Sequence, residues 1–143
     1  MPIEIRVAET PEDIATCMAL RRQVFIVEQD VPEALEVDGL DRECIHFLAL
    51  ENESPCGAAR VRLIDDYAKI QRVCVPASQR GTGLGKRLME YILVFLKHDG
   101  RISIARLESQ THALQFYEKL GFVAYGEEFM DAGIPHRSME IDW

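Results

Sequence analysis

Residues 79 to 86 read Gln-Arg-Gly-Thr-Gly-Leu-Gly-Lys, and a strongly amphipathic run begins inside them. Leu84, Leu88, Tyr91, Ile92, Phe95 and Leu96 recur at spacings of three and four, which predicts one face of a helix from Gly83 to a stop near Gly100. Tyr67 to Val75, just upstream, predicts a strand. Strand, glycine loop and helix in succession build an anion cradle: glycines let the backbone approach, and the helix N-terminus offers free N–H groups and positive potential.

Periodicity supplies the other elements. Ile3, Ile5 and Val7 alternate with polar residues and predict a first strand; Thr10 and Pro11 predict an N-cap with proline at the first helical position. Ile14, Cys17, Met18, Arg21, Val24 and Phe25 carry that helix to about Val27. Residues 28 to 43 hold a proline, a glycine and seven acidic side chains in sixteen positions, which predicts a long irregular connection of a kind that often serves function. His46 to Glu51 and Gly57 to Ile64, turning at Asn52 to Pro55, predict an antiparallel meander with Tyr67 to Val75. Beyond Gly100 come a strand at Ile102 to Leu107 and a short helix capped by Thr111, with Leu114, Phe116, Tyr117 and Leu120 as its apolar positions and Gly121 as its stop. Strands at Phe122 to Tyr125 and Arg137 to Ile141 complete an α/β domain with a mixed, largely antiparallel sheet.

A chain of 143 residues fits a single domain, residues 1–143, and its 48% hydrophobic and 28% charged content is that of a globular protein. The net charge of -8 argues against nucleic acid or anionic membranes as partners, with Arg80, Lys86 and Arg87 as the local exception. Neither a secretory leader nor an apolar stretch of about 18 to 20 residues is evident, so a cytoplasmic location is expected. Cys17, Cys44, Cys56 and Cys74 form no C-x-x-C pair and no zinc-spaced cluster; they read as reduced, mostly buried thiols, and no metal is expected.

Two nucleotide cradles are excluded by spacing. A Walker loop needs Gly-x-x-x-x-Gly-Lys before Ser or Thr, whereas Arg80 stands at the first glycine and Arg87 at the hydroxyl. A dinucleotide fingerprint needs Gly-x-Gly-x-x-Gly, whereas Gly81, Gly83 and Gly85 alternate. Arg80-Gly81-Thr82-Gly83-Leu84-Gly85 instead resembles the Arg/Gln-x-x-Gly-x-Gly/Ala signature of the GCN5-related N-acetyltransferases (GNAT). Ile70 to Pro76 resembles that family's central strand, and Ala113 to Phe122 its later signature segment. Arg22 to Gln29, Asp38-Gly39 and Gly133-Ile134-Pro135-His136 extend the resemblance to the ElaA-like branch, so that it covers nearly the whole chain.

The resemblance implies a splayed sheet of six or seven strands with about four helices and acetyl-coenzyme A between two parallel central strands. It implies pyrophosphate binding by Gly81, Thr82, Gly83 and Gly85 with Arg80 and Lys86, and pantetheine pairing along Val73, Cys74 and Val75. It implies that Tyr117 protonates the leaving thiolate; an ordinary tyrosine, near pKa 10, stays protonated at neutral pH. Gln71 stands near a position where many relatives have glutamate and cannot take up a proton, so the base is open among Glu28, Asp38, His46, Glu108, His112, His136 and water. Arg22, Phe25, Glu28, Gln29, Asp38, His46 and His136 are the expected lining of the acceptor site, and the acidic loop suggests a cationic amine, a small metabolite or peptide amino group, drawn by field.

Transfer of an acetyl group to a primary amine, by direct attack in a ternary complex, is the leading reading. The alternatives are a non-catalytic acyl-coenzyme A binding or regulatory module, favoured by Gln71, and an interaction domain whose glycine loop is only a turn. Exposed sheet edges are compatible with a homodimer.

Overall fold

The computed structural model describes residues 3–143. Seven strands form one sheet in the order β1-β2-β3-β4-β5-β7-β6. β1 (Ile3–Ala8), β2 (Cys44–Glu51), β3 (Ser54–Ile64) and β4 (Tyr67–Cys74) are an antiparallel meander; β5 (Ile104–Gln110) lies parallel to β4, and β6 (Val123–Asp131) and β7 (Ile134–Asp142) return antiparallel. Four α-helices accompany it among the described residues: α1 (Pro11–Arg21), α2 (Glu33–Glu36), α3 (Leu84–Lys97) and α4 (Leu114–Glu118).

Both faces of the sheet are covered. On one, Leu88, Met89, Ile92, Leu93 and Leu96 of α3 pack on Phe47, Val61, Ile70, Leu107 and Met139. On the other, Cys17 and Leu20 of α1, with Val24, pack on Leu48, Leu50, Ala58 and Cys74. This double cover is why Phe47 to Leu50 are buried as an unbroken run rather than alternately. Thr10 caps α1 as its sequence requires, its hydroxyl oxygen accepting the Asp13 N–H at 3.1 Å.

Four local features depart from the expected elements. The first helix changes at Arg22 into a π-helical segment, Arg22–Glu28, closed by Gln29 N–H to Val24 C=O at 3.1 Å. The 28–43 connection contains α2 and a 3₁₀ turn at Asp41–Glu43. The final strands are longer than expected because Ala132 and Gly133, with φ of 53° and 76°, make a tight hairpin turn between them. Likewise β5 begins at Ile104 and runs on to Gln110, three residues past its expected end.

β4 and β5 open the sheet. They pair only from Tyr67 and Ile104 to Ile70 and Leu107; beyond that β4 stays with β3, and β5 with β7. β4 carries an extra residue where Gln71 faces Arg60 and Cys74 faces Ala58, and Arg72 in this bulge has φ of 55°. A bulge bends its strand, and here it lies where the neighbours part.

Candidate active site

A cavity of about 1000 Å³ occupies the opening between β4 and β5. Val73, Cys74 and Val75 form one wall. Arg80, Gly81, Gly83, Gly85 and Lys86 form its floor, with Phe116 and Tyr117 beside them.

The floor suits an anion for local reasons. Gly83, at φ 84°, is the N-cap of α3, no side chain caps the helix, and its first turn carries no acid. The first N–H groups of α3 therefore lack internal acceptors. Gly85 is small for another reason: a Cβ there would lie 3.3 Å from Phe116 Cζ and 3.9 Å from Val75 Cγ2. Arg80 reaches across the opening, donating to Val75 C=O at 2.9 Å and pairing with both carboxylate oxygens of Glu28. Hydrogen bonds from Arg80 hold the Glu28 carboxyl below its ordinary range.

The opposite side of the cavity comes from the π-helical segment, the end of β5 and the β6–β7 turn. Val24, Phe25, Glu28 and Gln29 line it from the first, and Glu108, Gln110 and His112 from the second. A polar chain joins them: Gln110 Nε2 donates to Gln29 Oε1 at 2.9 Å, and His112 Nε2 donates to Gln110 Oε1 at 2.6 Å. Glu108 pairs with Lys69 at 2.7 Å. His136 lines the cavity from β7, stacked on Phe129 with ring centroids 5.9 Å apart. Tyr117 packs edge-on against Phe116 and Phe122, and burial pushes its hydroxyl up to about 12.

Four expected site residues lie elsewhere. Arg22 is exposed and pairs with Glu33. Thr82 donates its hydroxyl to Gln79 C=O at 2.6 Å and does not line the cavity. His46 is buried between β1 and β3, its Nε2 donating to Asp41 C=O at 2.8 Å. Asp38 is bound by Arg60 and Arg72.

Asp38 belongs to a network that the sequence reading missed. Arg21 and Arg60, both fully buried, and Arg72 at the bulge meet Glu36, Asp38 and Asp41. Arg60 also donates to Gln71 Oε1 at 3.1 Å, and Arg72 to the carbonyls of Leu35 and Glu36. With Glu28 and Glu33 held by Arg80 and Arg22, five of the seven acids in residues 28–43 are neutralised by arginines. The loop is thus not the cation-attracting field expected from its composition. Only the arginine placements reveal this, and buried arginines look in a sequence like surface ones.

A cleft at the parting of two parallel strands, floored by a glycine loop at a helix N-terminus, defines an acyl-transfer class of α/β protein. The chain belongs to the GNAT acetyltransferase domain family, whose model matches residues 7–143, and it is an acyltransferase. It is 39% identical over 137 residues to an uncharacterised N-acetyltransferase, YjcF, of Bacillus subtilis, covering 95% of this chain and 97% of that one. To ElaA of Escherichia coli it is 32% identical over 126 residues, covering 85% and 82%. The crystal structure of ElaA superposes with a TM-score of 0.87 at 29% identity, over 97% and 99% of the two chains. An acyl-CoA N-acyltransferase from Pseudomonas aeruginosa gives 0.84, also at 29% identity, over 97% of each chain.

Proposed function

We propose that this cleft transfers the acetyl group of acetyl-coenzyme A to a primary amine by direct attack while both substrates are bound. The observation that carries the reading is the uncapped N-terminus of α3 facing a cleft where the β4 backbone loses its β5 neighbour. The first binds the pyrophosphate through the N–H groups of Gly81, Gly83 and Gly85, with Arg80 and Lys86 adding charge. The second offers Val73, Cys74 and Val75 main-chain groups to the amide-bearing pantetheine arm. The family, and the likeness to the acyl-CoA N-acyltransferase from Pseudomonas aeruginosa, support acyl-coenzyme A as donor. Phe25 and Gln29 contribute to the acceptor side. Glu28 engages Arg80 until the anion replaces it.

Tyr117 serves the leaving sulfur. Full transfer from a phenol at about 12 to a thiolate whose acid lies near 8.5 is uphill by on the order of 5 kcal/mol. The phenol therefore hydrogen-bonds the departing sulfur and gives up its proton only as the new ammonium nitrogen replaces it. Gln71, whose carbonyl oxygen already accepts from Arg60, takes no proton.

The test is thiol release from acetyl-coenzyme A with a panel of amines, with mass spectrometry for the N-acetylated product. Amine-dependent release with acetylated amine is expected; tight coenzyme binding with no release from any amine would contradict transfer.

A further inference from the structure

The chain offers a proton acceptor at the acceptor end of the cleft. His136 on β7 stands directly across from Gln110, the last residue of β5, so both side chains share the sheet face where the strands part. Its Nδ1 lies 2.7 Å from the Ile134 carbonyl oxygen. A carbonyl only accepts, so Nδ1 carries the proton, and Nε2 of the neutral ring holds a bare lone pair. The stack on Phe129, with planes 25° apart, fixes the ring.

Nε2 has no partner among the described residues, yet it is open rather than sealed. The one buried side-chain nitrogen or oxygen without a partner among them is Nδ1 of His46. His136 also has little competition. Glu28 is held by Arg80, Glu36 by Arg21 and Arg72, and Glu108 by Lys69, so each of these carboxylates already has a cationic partner. Asp131 sits at the exposed β6–β7 turn, without an ion pair among the described residues, and His112 is exposed and tied to Gln110. Arg137, beside His136, is held by Gly126 C=O at 2.8 Å.

We propose that His136, through Nε2, is the general base that deprotonates the acceptor ammonium. The proposal rests on the transfer reading above and names a residue for the step that reading leaves without one. Nε2 takes one proton from the ammonium and releases it to water. The amine lone pair forms the N–C bond, the C–S bond breaks, and the sulfur leaves with the electron pair. Tyr117 gives that sulfur its proton and regains one from the nitrogen, which keeps its third hydrogen as the amide N–H. One proton is released per turnover, as ammonium plus thioester giving amide plus thiol requires.

His136→Asn is the informative variant, because the Asn side-chain NH₂ can keep the bond to Ile134 C=O while the base is removed. Three measurements are made together: acetyl-coenzyme A binding by calorimetry, thiol release with benzylamine, putrescine and an N-terminal alanine peptide, and ¹⁵N NMR of the imidazoles. The expected result is coenzyme affinity within threefold of wild type and kcat/KM for the amine down on the order of 100-fold at pH 7. The gap should narrow as pH rises and the free amine is supplied by solution; a packing role would leave it constant. The wild-type spectrum of the neutral ring should show the proton at Nδ1 and a bare Nε2. An unchanged rate in the variant, a loss from His112→Asn in its place, or a neutral ring with its proton on Nε2 would overturn the base assignment alone. No release by wild type with any of the three amines would overturn the transfer reading and this assignment with it.

Discussion

Tyr117 lies with its ring 4.9 Å from that of Phe116 and 6.0 Å from that of Phe122, both edge-on. The aromatic walls both place the phenol and raise its pKa, since a phenolate there would lose water without gaining a partner. Tyr117→Phe keeps those walls and removes only the hydroxyl. We expect kcat for thiol release to fall about 10- to 100-fold with coenzyme affinity by calorimetry unchanged within threefold; an unchanged kcat would remove Tyr117 from the chemistry. Gly81, Gly83, Gly85, Arg80 and Tyr117, which all line the cavity, stand in segments whose resemblance to the family's motifs already marked them as candidates in the sequence. Gln110 was not so marked: its value comes from closing β5 opposite His136 and bonding to Gln29, eighty-one residues away.

The π-helical segment, α2 and the bulged part of β4 form a unit held by Arg21, Arg60 and Arg72 against Glu36, Asp38 and Asp41. Arg21 and Arg60 are fully buried, Glu36 is 3% exposed and Asp41 and Asp38 are 19% and 26% exposed, so removing either guanidinium leaves carboxylates with only partial access to water. Arg60→Met should destabilise the fold by about 3–5 kcal/mol, read as a lower urea midpoint at unchanged slope. A shift below about 1 kcal/mol would mean that the loop rearranges and the carboxylates find water. Elements were recovered where periodicity is strong, as in α3 and the meander. The β6–β7 hairpin was underestimated because its turn places Ala132, not Asn or Asp, at positive φ. The π-helical segment escaped because its apolar residues continue the spacing of α1, while the extra residue per turn is visible only in the backbone.

For the molecule as a whole, the pairing of arginines with acids sets the acid limit of stability. Hydrogen bonds from Arg60 hold Asp38 far below its ordinary 3.8, burial opposing them; for Asp41 burial also works the other way but is overcome by Arg21 and Arg60. Asp99, bonded by Arg101, is brought down to about 2. Lowered folded pKa values contribute stability that is complete above the unfolded values, near 4, and is lost as pH falls toward the folded ones. Urea midpoints should therefore be flat with respect to these groups from pH 5 to 7 and decline steeply from pH 4 to 2. A midpoint unchanged down to pH 2 would mean that the pairs also persist in the unfolded chain. The splay, too, belongs to the whole molecule: β4 and β5 part because a bulge and two different outer neighbours pull on them, and no single segment encodes that.

Titration of acetyl-coenzyme A into the protein by calorimetry at moderate salt, with pyrophosphate as comparison, asks whether glycine loop and parted strand bind one ligand together. Affinity at least about 100-fold above that of pyrophosphate, a difference of about 2.7 kcal/mol, is the predicted result. Equal affinity for the two would contradict it and reduce residues 79–86 to an anion nest beside an unused cleft.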